Sequence, residues 1–397
     1  MIDPSFDASA APSIQNAQAP IIPTPHLLPM QFTGSGSEYF RIWIVNLLLT
    51  IVTLTLYVPW ARARKLRYFM ANTLVGGQPL GFHGNPRQMF KGYLLICAFV
   101  ILYSVAGNLS PIAGLVALAA GTLLWPALFK SSLQFRLSNT SWRGLRFAFH
   151  GSLGGAYRAM LPLLIPGAIL VGGQHFVMDP AHPPVWFGVF AGLIALSTVA
   201  IAPWLFWNIK QYQHNHYALG NLQTEFKAGA GSFYLLTLKV IGLGLALVIL
   251  PTALVGAVGY GLMSGLNLGK PGIGWALAGG VAYGVIVLVA MLCIRPYATS
   301  RLQNLVWTQT GNKQLRFVSE LRFGSLMWLS VKNSFLTIIT LGLYWPFAAV
   351  SMTRLRLEAV QVKTRISPDQ LVGAAQIHNN ETVGDAAGDF FGLDVGL

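Results

Sequence analysis

Apolar residues collect in long blocks along this chain, and the blocks have the length of membrane helices. Six runs of 17 to 22 residues contain no Asp, Glu, Lys or Arg, and about 20 such residues form a helix that crosses the hydrocarbon of a bilayer. The six runs are Gly92–Leu109, Ile112–Phe129, Leu161–Val177, Trp186–Trp207, Val240–Tyr260 and Ile273–Ile294. The pattern predicts a polytopic α-helical membrane protein.

A seventh apolar stretch, near the start of the chain, recurs near its end. Asn46–Ala61 and Asn333–Ala348 share Asn, Leu, both Thr, Leu, Leu, Tyr, Pro and Ala at one constant offset. Each copy is apolar enough to enter a membrane, yet each carries polar side chains that need partners there. The two ends of the protein are therefore predicted to be copies of one unit.

Prolines and short strand patterns extend this unit to five quasi-repeats. The prolines and the residues thirteen positions later are Pro59 and Asn72, Pro126 and Asn139, Pro203 and His216, Pro296 and Gln309, and Pro346 and Ala359. Proline suits the first turn of a helix, so each is predicted to start one. Short strands around a two-residue Gly-containing turn follow the first four helices and predict β-hairpins. The strand patterns at 29–34 and 358–363 are predicted to pair as a fifth hairpin.

Charge decides the predicted topology. Of the 26 Lys and Arg, 23 lie in segments 61–91, 127–158, 204–239, 295–322 and 347–365, and the positive-inside rule places such segments in the cytoplasm. The first and last apolar sections are too short to cross the bilayer twice. They are therefore predicted to be re-entrant hairpins that turn near 53–57 and 340–344, beside six full spans. The alternative is eight spans.

Composition supports a membrane protein and limits its partners. Hydrophobic residues make up 54% of the chain and charged residues 10%, where a soluble domain has roughly 25% charged residues. The net charge of +14 fits basic loops on anionic lipid headgroups better than nucleic acid. Cys97 and Cys293 lie in apolar spans and predict no disulfide. We expect a transmembrane domain at 28–365, a disordered tail at 1–27 and a disordered acidic tail at 366–397.

Three segments resemble a known family. They are Phe32–Asn46, Thr53–Arg62 and Phe135–Phe147. They resemble the YjgN family of bacterial inner-membrane proteins, and the resemblance covers about residues 30 to 365. Thr55 departs from the family's usual Gly, which the second copy keeps as Gly342, and this leaves the tightness of the first turn open. The resemblance implies a bacterial inner-membrane location with no known activity.

Motifs that would indicate an enzyme are missing from the sequence. It has no Gly-x-Ser-x-Gly, no Gly-x-x-x-x-Gly-Lys, no His-Glu-x-x-His and no Cys-x-x-Cys. His83, His150, His214 and His216 lie near predicted hairpins and are read as structural, with a metal or pH site as the alternative. The predicted spans carry no carboxylate, which disfavours an acid-relay pump. We expect no enzymatic activity, no cofactor and no metal.

Two sets of residues are candidate functional positions. The first is Asn46, Thr50 and Thr53 with their copies Asn333, Thr337 and Thr340. At i, i+4, i+7 spacing they share one helix face, which fits either interhelical hydrogen bonds or a neutral polar path for a small solute. The second set lies at aromatic and basic junctions that fit the lipid headgroup zone. It comprises Trp60, Arg62, Arg64, Lys65, Arg67, Trp204, Lys210, Arg301, Arg354 and Arg356.

Two functions stay open on the sequence. One is a channel or facilitator for a small solute or ion, and the other is a non-catalytic scaffold that binds lipid or a partner protein. Membrane lipids are the expected partners, both termini are expected in the cytoplasm, and the protein partner and oligomeric state are undetermined.

Overall fold

The fold alternates short strands with pairs of helices. A computed structural model describes residues 26–174, 177, 183–220, 222–265, 272–365, 367 and 370. The helices are α1 Gly36–Val52, α2 Val58–Ala71, α3 Pro86–Leu109, α4 Pro111–Ser138, α5 Leu153–Gln174, α6 Val185–His214, α7 Ala230–Gly265, α8 Ile273–Thr308, α9 Phe323–Ile339 and α10 Trp345–Glu358. The strands are β1 His26–Phe32, β2 Thr73–Val75, β3 Gln78–Phe82, β4 Thr140–Trp142, β5 Leu145–Phe149, β6 Tyr217–Leu219, β7 Leu222–Gln223, β8 Glu225–Phe226, β9 Thr310–Gly311, β10 Leu315–Ser319 and β11 Val360–Thr364.

All strands join one antiparallel sheet that curls almost into a barrel. Its order is β7-β6-β5-β4-β3-β2-β1-β11-β10-β9-β8. The end strands β7 and β8 are consecutive in the chain with Thr224 between them, so the two edges of the sheet meet there. Asn312 strengthens this junction, because its side-chain amide donates to the carbonyl oxygen of Gln223 at 3.0 Å. The predicted pairing of the first and last strands is confirmed by the β1–β11 ladder.

Apolar side chains fill the inside of this sheet. Strands from different sides of it contribute to one cluster, whose buried members are Leu28, Trp142, Leu145, Leu219 and Val362. Because strand side chains alternate between faces, residues such as Leu315 and Phe317 both reach the same cluster. The inside of the sheet is therefore a packed apolar core.

The helices stand on the sheet in a ring. Each helix packs against its neighbour in chain order, and α10 packs against α1. Within the described residues six helices are long and apolar enough to cross a membrane: Pro86–Leu109, Ile112–Ser138, Leu153–Gly173, Val185–His214, Ala230–Gly265 and Ile273–Thr308. Each contains most or all of one predicted span, and the predicted polytopic helical membrane class is thereby supported.

Three of the five prolines do not start helices, which corrects the sequence prediction. Pro59 and Pro346 lie in the first turns of α2 and α10, but Pro126, Pro203 and Pro296 lie inside the continuous helices α4, α6 and α8. In those units an apolar helix already precedes the proline, and membrane helices tolerate the lost hydrogen bond. Only where a turn precedes the proline does a new helix begin.

The predictions for the cysteines and for the two tails have different outcomes. Both Cys97 and Cys293 are free thiols, as predicted. The predicted tails lie outside the described residues, except that β1 already begins at His26 and that residues 367 and 370 belong to the described part.

Candidate functional site

The first and last helix pairs turn back in the same way. The α1–α2 turn places Leu54 and Thr55 at φ 47° and 73°, and the α9–α10 turn places Leu341 and Gly342 at 49° and 92°. These are left-handed conformations, which glycine adopts without strain. In both turns the second of these residues donates its amide at 2.8 Å to a threonine carbonyl five positions earlier. Thr55 therefore leaves the first turn as tight as the second.

A threonine hydroxyl closes each turn. Thr53 Oγ1 donates to the Leu49 carbonyl at 2.7 Å and accepts the Tyr57 amide at 3.0 Å. Thr340 repeats both contacts at 2.7 and 2.9 Å, with Leu336 and Tyr344. These bonds satisfy backbone groups that the helix ends leave without partners.

The two asparagines join the helices of their own hairpins. Asn46 Nδ2 donates to the Ala61 carbonyl and Asn333 Nδ2 to the Ala348 carbonyl, both at 3.4 Å. Asn333 also donates to Ser351 Oγ at 3.0 Å. Asn46 Oδ1 is buried and has no hydrogen-bond partner among the described residues.

The other two threonines also make contacts inside their hairpins. Thr50 Oγ1 donates to the Asn46 carbonyl at 2.7 Å, and the Thr337 carbonyl accepts the Gly342 amide. The predicted polar residues are thus brought together within each hairpin. Their use as a solute path stays a prediction.

The hairpins meet through aromatic rings on α1 and α10. Trp43 and Tyr39 contact Trp345 at centroid distances of 6.2 and 6.4 Å, and Phe40 contacts Phe347 at 5.8 Å. The two ends of the chain therefore form one contiguous block of four short helices.

The predicted headgroup residues are spread over this block and over the ends of α6 and α8. The contacts that involve them are Trp60 with the Phe90 ring, Lys65 over the Trp345 ring, Lys210 over the Phe206 ring and bonded to Gln213, Arg301 over the Tyr297 ring, Arg354 to the carbonyls of Phe32 and Gly34, and Arg356 to Gln303. Arg62 has interactions within the chain as well, and Trp204 is half-buried. Lys65 and Arg356 thus join two helices, whereas Lys210 and Arg301 make their contacts within one helix. Contact of these residues with lipid stays a prediction.

Two predicted headgroup residues, Arg64 and Arg67, line a cavity of about 580 Å³ between α1 and α2. The other lining residues are Arg41, Ile42, Val45 and Tyr68. Arg64 lies over the Tyr57 ring at 5.7 Å, and Arg67 Nη2 donates to the Gly84 carbonyl at 3.1 Å. The side chains of three arginines therefore help to line an open cavity, and the atoms that face it are almost all apolar.

Arg67 lies on the side of α2 opposite to Phe69. Phe69 packs against Phe32 of β1, and positions two apart on a helix point about 200° away from each other. Glu38 accepts a hydrogen bond from the cavity residue Tyr68 at 3.1 Å. Burial, together with the hydrogen bond and charge of Glu38, raises the pKa of Tyr68, so this phenol is neutral and donates.

Sequence reasoning missed Arg41. It lies inside an apolar section, apart from the five basic segments. The isolation of one cation within an apolar section was the available signal, because a charged residue in such a section often serves a site.

Three of the four histidines near the predicted hairpins make hydrogen bonds within the fold. His83 bonds Ser141 at 2.8 Å, His216 bonds the Tyr212 carbonyl at 2.8 Å, and buried His214 bonds Thr310 at 3.0 Å. Within the described part of the chain, no three His, Cys, Asp or Glu residues are grouped so that they could hold a metal.

Comparisons with known proteins give the relationship of the chain. A family model described as "Bacterial protein of unknown function (DUF898)" matches residues 27–390. A protein named "Inner membrane protein YjgN" from Salmonella typhimurium is 25% identical over 370 residues, covering 85% of this chain and 89% of the relative. A protein of the same name from Escherichia coli O157:H7 is 34% identical over 173 residues, covering 43% of each chain. No solved structure matches.

Proposed function

This chain belongs to the bacterial family DUF898, which includes the YjgN inner-membrane proteins, and we propose that it is a non-catalytic protein that binds anionic phospholipid in the inner membrane. The observation that carries the proposal is the open, apolar cavity that the side chains of Arg41, Arg64 and Arg67 help to line. A guanidinium group presents a fork of donors that matches phosphate oxygens and sheds water more readily than an ammonium group. The apolar lining suits the upper part of an acyl chain.

The membrane placement follows from the charge distribution. The sheet and the basic helix ends lie in the cytoplasm, so both termini are cytoplasmic. The chain is then five quasi-repeats of strand, two helices and strand, with six full spans. The α1–α2 and α9–α10 pairs are re-entrant hairpins, because 17 residues of α1 or α9 cover only about 25 Å. The cavity then lies at the cytoplasmic headgroup level.

A cost in stability supports a function for Arg64. Asn46, Ala61 and Arg64 correspond by one offset to Asn333, Ala348 and Ser351. Where the last hairpin has a serine that bonds its asparagine, the first has an arginine, and Asn46 Oδ1 is left without a described partner. An unsatisfied buried acceptor costs about 1–3 kcal/mol. Retaining arginine at this cost fits selection for a ligand.

A facilitator for a small solute is the less favoured function. A polar path would need side chains that bind and release a solute. Most of these side chains instead bond groups of their own hairpins, and a buried apolar cluster lies inside the sheet.

Lipid binding by purified protein tests the proposal. The protein is placed in nanodiscs of phosphatidylcholine, and retention of added phosphatidylglycerol is measured by native mass spectrometry. The triple substitution Arg41→Gln, Arg64→Gln, Arg67→Gln should weaken binding by at least tenfold, since each cation near a headgroup contributes about 1 kcal/mol.

The matched control removes equal charge elsewhere. The substitutions Arg316→Gln, Arg322→Gln and Arg365→Gln delete three exposed arginines of the last two units, none of which is a predicted headgroup residue. The control should bind lipid as the parent protein does. Equal binding by all three proteins, or equal loss in both variants, would refute a specific site.

A further inference from the structure

The helices α1, α2, α9 and α10 are shorter than the other six, so one side of the ring is open at its end away from the sheet. The helices α4, α6 and α8 begin 15, 18 and 23 residues before Pro126, Pro203 and Pro296. The helices α2 and α10 begin one residue before Pro59 and Pro346. The prolines serve as a common level for the comparison. At 1.5 Å per residue, the four short helices therefore end about 20–30 Å closer to the sheet than their neighbours do.

One contact fixes how far the neighbouring helix continues. Tyr93 on α3 donates to Thr55 Oγ1 in the first turn at 2.7 Å, and α3 runs on to Leu109. These 16 further residues extend about 24 Å beyond the turn. Among the described residues, the segments that continue above the turns belong to α3 to α8, and we call this part the wall. Its edges are α3 and α8, which the four short helices separate in the ring.

The wall is one helix thick and apolar on both faces. On α4, Gly114 and Gly121 pack closely against α3 at Gly107 and Phe99. Val116 and Leu118 are 64% and 46% exposed, and they point about 200° apart. One faces the outside of the wall and the other faces its inside.

The floor of the enclosed space is also apolar. The two turns present Leu54 and Leu341, which are 84% and 94% exposed. No charged residue occurs between Arg41 and Arg62 or between Lys332 and Arg354. Because the threonines already bond the backbone of the turns, the floor offers water little to bind.

We infer that the wall encloses a cleft, open sideways to the bilayer between α3 and α8, which holds the acyl chains of phospholipid from the outer leaflet. Acyl chains fit because the cleft is continuous with the hydrocarbon, uncharged and floored by exposed leucines. A water-filled vestibule would leave apolar surface hydrated on every side. The inference rests on the orientation proposed above and is independent of the arginine cavity.

Fluorescence quenching from the two faces of α4 tests the cleft. Cys97 and Cys293 are replaced by Ala, and Val116→Cys or Leu118→Cys carries a fluorophore in protein reconstituted into vesicles. Lipid brominated on its chains should quench both labels to within a factor of two, and aqueous iodide should quench neither. The label on the outside of the wall is the internal control, since it meets the bilayer in any case.

Two outcomes would overturn the inference. Iodide quenching of one label would show a water-filled vestibule, and protection of one label from both quenchers would show that protein, such as a second copy of the chain, fills the cleft. A third reporter, Leu341→Cys, reads the floor and should respond as the other two do. Phosphatidylglycerol binding by the triple arginine variant is measured separately, so failure of the cleft and failure of the headgroup site are distinguishable.

Discussion

Replacing the two corresponding asparagines by leucine should have unequal effects on stability. Asn333→Leu removes a bond of 3.0 Å to Ser351 and one of 3.4 Å to the Ala348 carbonyl. Hydrogen bonds between membrane helices are worth about 0.6 kcal/mol on average and up to about 1.7. Ser351 still donates to Ala348 at 3.1 Å, so little further penalty arises. We expect a loss of about 1 kcal/mol.

Asn46→Leu should cost much less. It removes one bond of 3.4 Å, which is longer than the usual range for N–H···O bonds. It also removes a buried oxygen that has no described partner, and leucine keeps the branching of asparagine at Cγ, with a larger side chain and a better transfer free energy. The expected change lies within about 0.5 kcal/mol of zero and includes a small gain.

Unfolding of purified protein by graded SDS in mixed micelles measures both values. Ser351→Ala, combined with Asn333→Leu in a double-mutant cycle, isolates the bond between the two side chains, and the coupling should be about 0.6 kcal/mol. If Asn46→Leu destabilises as much as Asn333→Leu, the first asparagine has a partner that the described contacts lack, and the argument from Arg64 falls with it.

Three further predictions use the same protein. Arg64→Ser should stabilise the first hairpin by about 0.5–1 kcal/mol relative to Arg64→Ala, because it supplies the hydroxyl that the last hairpin has; equal SDS midpoints would contradict this. Trp142→Ala should cost about 3–5 kcal/mol, since Trp142 is buried in the sheet, whereas the exposed Trp328→Ala should leave the yield of folded protein unchanged. Reporter fusions at Gln15 and Asn379 should both report from the cytoplasm, and a periplasmic signal from either would favour eight spans.

Local patterns explain what the sequence could predict. The spans are uncharged runs longer than 16 residues, and their length alone distinguishes them from soluble helices. The turns at 53–57 and 340–344 and the paired end strands follow from repeated residues at one offset. The boundaries of these elements needed no knowledge of distant contacts.

Tertiary context explains what the sequence could not predict. The five prolines look alike locally, yet whether a proline begins a helix or lies inside one depends on whether a turn precedes it. The second strand of the third predicted hairpin contains Thr224. In the structure this segment is divided into β7, which pairs with β6, and β8, which pairs with β9, because the sheet closes there. Arg41 joins Arg64 and Arg67 only when α1 and α2 fold together.

Differences between the two end hairpins locate the function better than their shared residues do. The shared asparagines and threonines build the same turn twice, which a structural requirement explains. The departures lie in the first copy: Thr55 replaces glycine at φ 73° and gains the Tyr93 hydroxyl, and Arg64 replaces serine and gains the cavity. Thr55 places a residue with a side chain in a left-handed conformation, and Arg64 leaves a buried oxygen without a described partner. Thr55 contacts α3, and Arg64 lines the cavity. Two hairpins with the same structural role would need neither change, which supports our proposal that the first hairpin binds a ligand.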